Sequence, residues 1–128
     1  MCQSGWQFSK DWPDCCPPAE AKPAEGTVYA VAANNPFTPE DFTSAKTRNV
    51  LINGNSCERC GISVVSEILD ARALLVRYSI KYKHIGVLNL TDSHGVLIEN
   101  PRNDIQSHQT LWPFEQVQLH SEFTLVQK

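Results

Sequence analysis

A chain of 128 residues, 41% of them hydrophobic, is long enough for one core and too apolar to remain disordered. Its 11 basic and 14 acidic residues leave a net charge of −3, so no nucleic-acid partner is expected. No stretch reaches the roughly 18 consecutive apolar residues of a membrane helix. The start Met1-Cys2-Gln3-Ser4-Gly5-Trp6 lacks the charged and apolar regions of an export signal, and the five cysteines are an odd number. Together these features lead us to expect a cytoplasmic protein with reduced thiols and no membrane association.

Residues 1–26 read as an irregular N-terminal arm. Pro13, Pro17, Pro18 and Pro23 fix φ and remove backbone donors. Trp6, Phe8 and Trp12 are the side chains expected to pin the arm onto a single domain over 27–128. The β-branched and aromatic run Thr27-Val28-Tyr29-Ala30-Val31-Ala32 predicts a strand ending at Asn34-Asn35-Pro36. Thr38-Pro39-Glu40-Asp41-Phe42 then has the residues of a helix start: a hydroxyl acceptor, proline at the first position and acid at the positive end of the dipole. Thr47-Arg48-Asn49 and Asn53-Gly54-Asn55 limit that helix.

Gly61-Ile62-Ser63-Val64-Val65 reads as a short strand, and Ser66 as the cap of a helix reaching about Tyr78. Ile68, Ala71, Leu75 and Tyr78 recur at helical spacing along it. The basic cluster Arg72, Arg77, Lys81, Lys83 and His84 reads as a solvated helix end and loop. Beyond it the period becomes two. Ile85–Leu90, the turn Thr91–Gly95 and Val96–Glu99 predict a hairpin. The alternation of Val117, Leu119, Ser121, Phe123 and Leu125 predicts one long strand or a second hairpin. An exposed strand such as Phe123 to Val126 could pair with a second copy, giving a homodimer. This order of elements predicts an α+β domain: a mostly antiparallel sheet with two helices packed on it.

Cys57-Glu58-Arg59-Cys60-Gly61 has the form of half a zinc site, with Cys15 and Cys16 as candidates for the other half. Ser107-His108-Gln109-Thr110-Leu111-Trp112-Pro113 concentrates polar and aromatic groups, and in a strand His108 and Thr110 share a face. Histidine can move protons near neutral pH and tryptophan can wall a pocket. The chain holds no P-loop, dinucleotide-binding glycine fingerprint or HExxH. The leading expectation is a binding or interaction domain for a small molecule or protein. Its candidate residues are Tyr29, Ser63, His108, Thr110 and Trp112. Two alternatives are a small enzyme acting on a nucleotide-like substrate through Ser63, His108 and a late glutamate, and a zinc-stabilised structural module.

Cys16-Pro17-Pro18, Thr27-Val28-Tyr29, Asn34–Phe42, Cys60–Val64 and Ser107–Pro113 together resemble a family of small uncharacterised bacterial proteins. The resemblance covers residues 15 to about 113 and implies a bacterial accessory protein, of the kind carried on mobile elements, with no known activity. A more distant resemblance is to the ADP-ribosyltransferase fold. Ser63 would match its middle-strand serine, and Glu115 or Glu122 its late glutamate. The early strand departs from that pattern, because Thr27–Ala32 offers Tyr29 in place of arginine or histidine.

Overall fold

The structure is a computed structural model and describes residues 17–42, 60–114 and 116–126. In chain order the elements are Lys22–Pro23 (β1), Gly26–Ala32 (β2), a 3-10 turn at Pro39–Phe42, Ile62–Val65 (β3) and Ile68–Arg77 (α1). His84–Leu90 (β4), Gly95–Glu99 (β5), His108–Pro113 (β6), Leu119–Glu122 (α2) and Thr124–Leu125 (β7) follow. The seven strands form one antiparallel sheet in the order β1-β5-β6-β3-β2-β4-β7, and the protein is an α+β domain.

Alternation along β2 explains its central place. Val28, Ala30 and Ala32 are buried on one face, where they join Ile62, Val64, Leu88, Leu90 and Leu111. That face is covered by Phe42 of the 3-10 turn, Leu119 of α2 and Phe123. Phe42 and Phe123 stack with centroids 4.5 Å apart, and Phe37 meets Phe42 edge-on at 5.3 Å. The opposite face is covered in two pieces. Ala71, Leu74 and Leu75 of α1 pack over Val65 and Ile85, while Ala21, Cys60, Val96 and Trp112 form a separate apolar cluster. The cysteine is accommodated there as a small apolar side chain.

Several expectations are corrected. The hairpin of residues 85–99 does not form. β4 pairs with β2 and β7, whereas β5 pairs with β1 and β6. Residues 22–32 run antiparallel beside β5 and then β4, so β4 and β5 point the same way. The turn between them is a corner. Its backbone closes from His94 N to Thr91 O at 3.0 Å, and Thr91 N donates to His94 Nδ1 at 3.0 Å. This single turn displaces the strand sideways without reversing it. Gly95 follows with φ +150°, and a Cβ there would sit 2.2 Å from the Trp112 carbonyl oxygen, so the corner needs glycine.

The C-terminal alternation is likewise not one long strand or a hairpin. Leu119 and Phe123 are both buried and four residues apart, with Phe123 N bonded to Leu119 O at 2.9 Å. A strand would turn Ser121 inward beside them, whereas the helical turn leaves it exposed. Only Thr124–Leu125 pairs, against β4. Ser66 is not the cap of α1. The N-cap is Glu67, with no side-chain cap bond of its own, and the amide of Glu67 donates to Ser107 Oγ at 3.2 Å. Ser107 Oγ in turn donates to Asp70 Oδ2 at 2.6 Å. The cap therefore comes from a distant loop.

Thr38 and Asp41 reverse their expected roles: Asp41 reaches back to accept from Thr38 N at 2.8 Å and Thr38 Oγ1 at 3.1 Å. Within the part of the arm that is described, Lys22–Pro23 pairs at the sheet edge, where proline costs no ladder bond, and Ala21 and Ala24 are buried. Trp6, Phe8, Trp12 and the expected helix breakers Thr47–Asn49 and Asn53–Asn55 lie outside the described residues.

Candidate functional site

Two strands and one loop assemble the site. In β3, Ile62 and Val64 turn into the core, so Ser63 and Val65 face the other way. The register Ser63↔Thr110 and Val65↔His108 places Ser63 diagonally next to His108. His108 Nε2 lies 3.1 Å from Ser63 Oγ. On its far side, His108 Nδ1 lies 3.1 Å from the backbone oxygen of Asn100 and 3.0 Å from Asn100 Oδ1. Asn100 Nδ2 completes the chain by donating to Thr110 Oγ1 at 2.8 Å.

In the neutral ring, the hydrogen-bond partners of His108 select one tautomer. A backbone carbonyl can only accept, so Nδ1 carries the proton and donates to Asn100. Nε2 then presents its lone pair and accepts from the Ser63 hydroxyl. His108 is only 6% exposed, and Thr110 2%, whereas Ser63 is exposed. The result is a buried, oriented imidazole whose Nε2 bonds to an exposed serine hydroxyl. This is the order of groups in a nucleophile, base and orienting partner, with asparagine in the third place.

Ser63 and His108 also line a cavity of about 190 Å3, together with Tyr29, Leu74, Tyr78 and Tyr82. Tyr29 reaches it from the centre of β2, where its single pairing to Val65 joins β2 to β3. Tyr78 and Tyr82 meet edge-on at 6.3 Å just past the end of α1. Asp41 contributes a carboxylate to the same wall. Burial pushes its carboxyl upward, but bonds from Thr38 N, Ala33 N, the Thr38 hydroxyl and the Asn34 amide outweigh burial and hold it below the usual 3.8.

Of the residues singled out from the sequence, Tyr29, Ser63 and His108 come together at this cavity. Thr110 lies under them, bonded to Asn100, and Trp112 is 2% exposed in the cluster with Ala21, Cys60 and Val96. Gly61 lets Trp112 and Thr110 close over the cluster: a Cβ there would stand 2.3 Å from Thr110 Cγ2 and 3.2 Å from Trp112 Cε2. Glu122 is held elsewhere, accepting from His94 Nε2 at 2.9 Å. Glu115, Cys15, Cys16 and Cys57 lie outside the described residues, and Cys60 is buried beside Trp112. Among the described residues no three metal-ligating side chains cluster. Asn100 is the member that sequence reasoning missed. Its one signal is the Asn100-Pro101 pair closing β5, a turn-forming dipeptide directly opposite His108.

No protein-family model, no curated protein and no solved structure matches the chain.

Proposed function

We propose that the chain is a small-molecule-binding domain whose ligand occupies the cavity bounded by Tyr29, Ser63 and His108. The observation that carries this reading is the Asn100–His108–Ser63 relay, which ends on an exposed hydroxyl at the cavity wall. Burying an imidazole costs desolvation that an aliphatic side chain would avoid, and the relay recovers that cost only as a set of fixed hydrogen-bonding directions. With His108 accepting the Ser63 proton, the Ser63 oxygen offers lone pairs to a ligand N–H or O–H. The tyrosine rings favour a flat ligand, and 190 Å3 has room for the volume of about six waters. Thr110 supports the relay by accepting from Asn100 Nδ2.

Ligand-observed NMR of the full chain against a library of small aromatic amides and alcohols tests this reading. Binders should weaken about 3- to 10-fold in Ser63→Ala, the loss of one hydrogen bond, and also in His108→Ala, which releases the Ser63 hydroxyl from its fixed direction. Binders held equally by both variants and by Tyr29→Ala would remove the site.

A second reading is supported by the tautomer itself: Ser63 as the nucleophile of an acyl-transfer enzyme. Ser63 Oγ would form a bond to an ester carbonyl carbon while its proton passes to His108 Nε2. That proton would leave with the departing alcohol, and water activated by the same nitrogen would hydrolyse the acyl-serine. Asn100, rather than a late glutamate, would orient the base. Intact mass after treatment with a fluorophosphonate separates the readings. One adduct, lost in Ser63→Ala, supports catalysis; an unchanged mass leaves the binding domain alone.

A further inference from the structure

A second, larger concavity shares no lining residue with the Ser63–His108 cavity among the described residues. It is a groove of about 710 Å3 between α1 and the sheet edge formed by β4 and β7. Leu75, Val76, Ile85, Leu125 and Val126 make it apolar. Its volume falls within the range that encloses small organic ligands. Val126 N bonds to Ile85 O at 2.8 Å, which fixes the sheet-side wall. Val76 on the helix side remains 78% exposed, an apolar side chain that the fold does not bury.

The charged side chains that line the groove among the described residues are both cations. Arg72 and Lys83 line it with His84 as a further polar group, and no carboxylate does among the described residues, although the chain as a whole is acidic. The neighbouring cation Arg77 is already paired with Asp104. Arg72 has no ion-pair partner among the described residues. Lys83 donates to the Ser79 carbonyl, which leaves its remaining ammonium protons for another acceptor. An apolar trough with cations at its rim complements a molecule with an aliphatic body and one anionic end.

We propose that this groove binds a free amphiphilic carboxylate, its headgroup at Arg72 and Lys83 and its alkyl chain along Leu75, Ile85 and Leu125. The site is independent of the Ser63–His108 cavity and stands whether or not that cavity binds a ligand.

Titration calorimetry of the full chain with decanoate, and separately with decanol, tests the proposal at neutral pH. Decanoate should bind at one per chain and more tightly than the uncharged alcohol. Arg72→Gln should weaken decanoate about 3- to 5-fold, the loss of one exposed ion pair. Val76→Asp, which places a like charge in the trough, should weaken it by about 10-fold or more. Both positions are exposed, so the variants should keep the parent circular dichroism spectrum and melting temperature. No decanoate binding, equal affinity for decanol, or affinity unchanged in both variants would overturn the proposal. So would association only with anionic vesicles, or a native mass spectrum in which the chain dimerises and excludes decanoate.

Discussion

The cap of α1 offers a stringent test, because local sequence and tertiary structure name different serines. Ser66 stands where a capping side chain is expected, yet it is Ser107 Oγ that accepts from Glu67 N at 3.2 Å and donates to Asp70 Oδ2 at 2.6 Å. Ser107→Ala removes both bonds while leaving the Ser107 amide bonded to Asp70 Oδ2 at 3.2 Å. A lost cap costs about 0.5–2 kcal/mol, and a bond to a charged acceptor about 1.5–3 kcal/mol. Ser107 is partly exposed, so water recovers some of each, and we expect a net loss of about 1.5 kcal/mol. For a domain of this size that corresponds to a melting temperature lower by about 5 °C. Urea denaturation followed by circular dichroism should show the midpoint falling at constant m. Ser66→Ala should stay within about 0.5 kcal/mol of the parent. If Ser66→Ala costs as much as Ser107→Ala, the distant cap does not hold the helix.

Gly61→Ala should destabilise by about 1–3 kcal/mol, because the new methyl meets Thr110 Cγ2 at 2.3 Å inside a packed cluster; an unchanged urea midpoint would refute that crowding. Leu111→Ala should cost about 2–5 kcal/mol, since Leu111 is fully buried at the centre of the sheet, and a loss below about 1 kcal/mol would mean the core collapses around it. Asp41, whose carboxyl is held below 3.8, contributes stability that is present above its unfolded value and lost as pH falls through the lowered folded value. The stability gap between the parent and Asp41→Asn should therefore be constant near neutrality and shrink below about pH 4. A gap that stays constant to pH 2 would show that Asp41 acts without its charge.

What was legible in the sequence was local. The runs at 27–32 and 62–65 and the helix ending near Tyr78 could be placed because residue preference and period agree there with the burial each segment finds. Partner choice was not legible. Thr91-Asp92-Ser93-His94-Gly95 has the composition of a reversing turn, and only the pairing of 22–32 with 84–97 shows it to be a corner. Residues 117–125 fit period two as well as they fit a helical turn, and the burial of Leu119 with Phe123 decides between them. The site followed the same division. Ser63 and His108 could be named singly, but their adjacency comes from the β3–β6 register, and Asn100 enters through the tertiary closure of a loop.

The corner at Thr91–His94 also bears on how the chain finds its structure. Apart from the Tyr29–Val65 pair, β1 and β2 have as partners residues roughly 50 to 75 positions further along the chain, so most of the sheet is unavailable until the stretch from His84 to Glu99 has been made and has bent. Pairings of that span must overcome a large loop-closure entropy before any contact compensates it. Refolding should fall in the millisecond-to-second range of β-rich domains rather than the microseconds of helical ones. A nascent chain that stops short of His84 would have only β3 to set beside β2, through the Tyr29–Val65 pair. The order of synthesis thus leaves the β4-facing edge of β2 open until His84–Leu90 has been made.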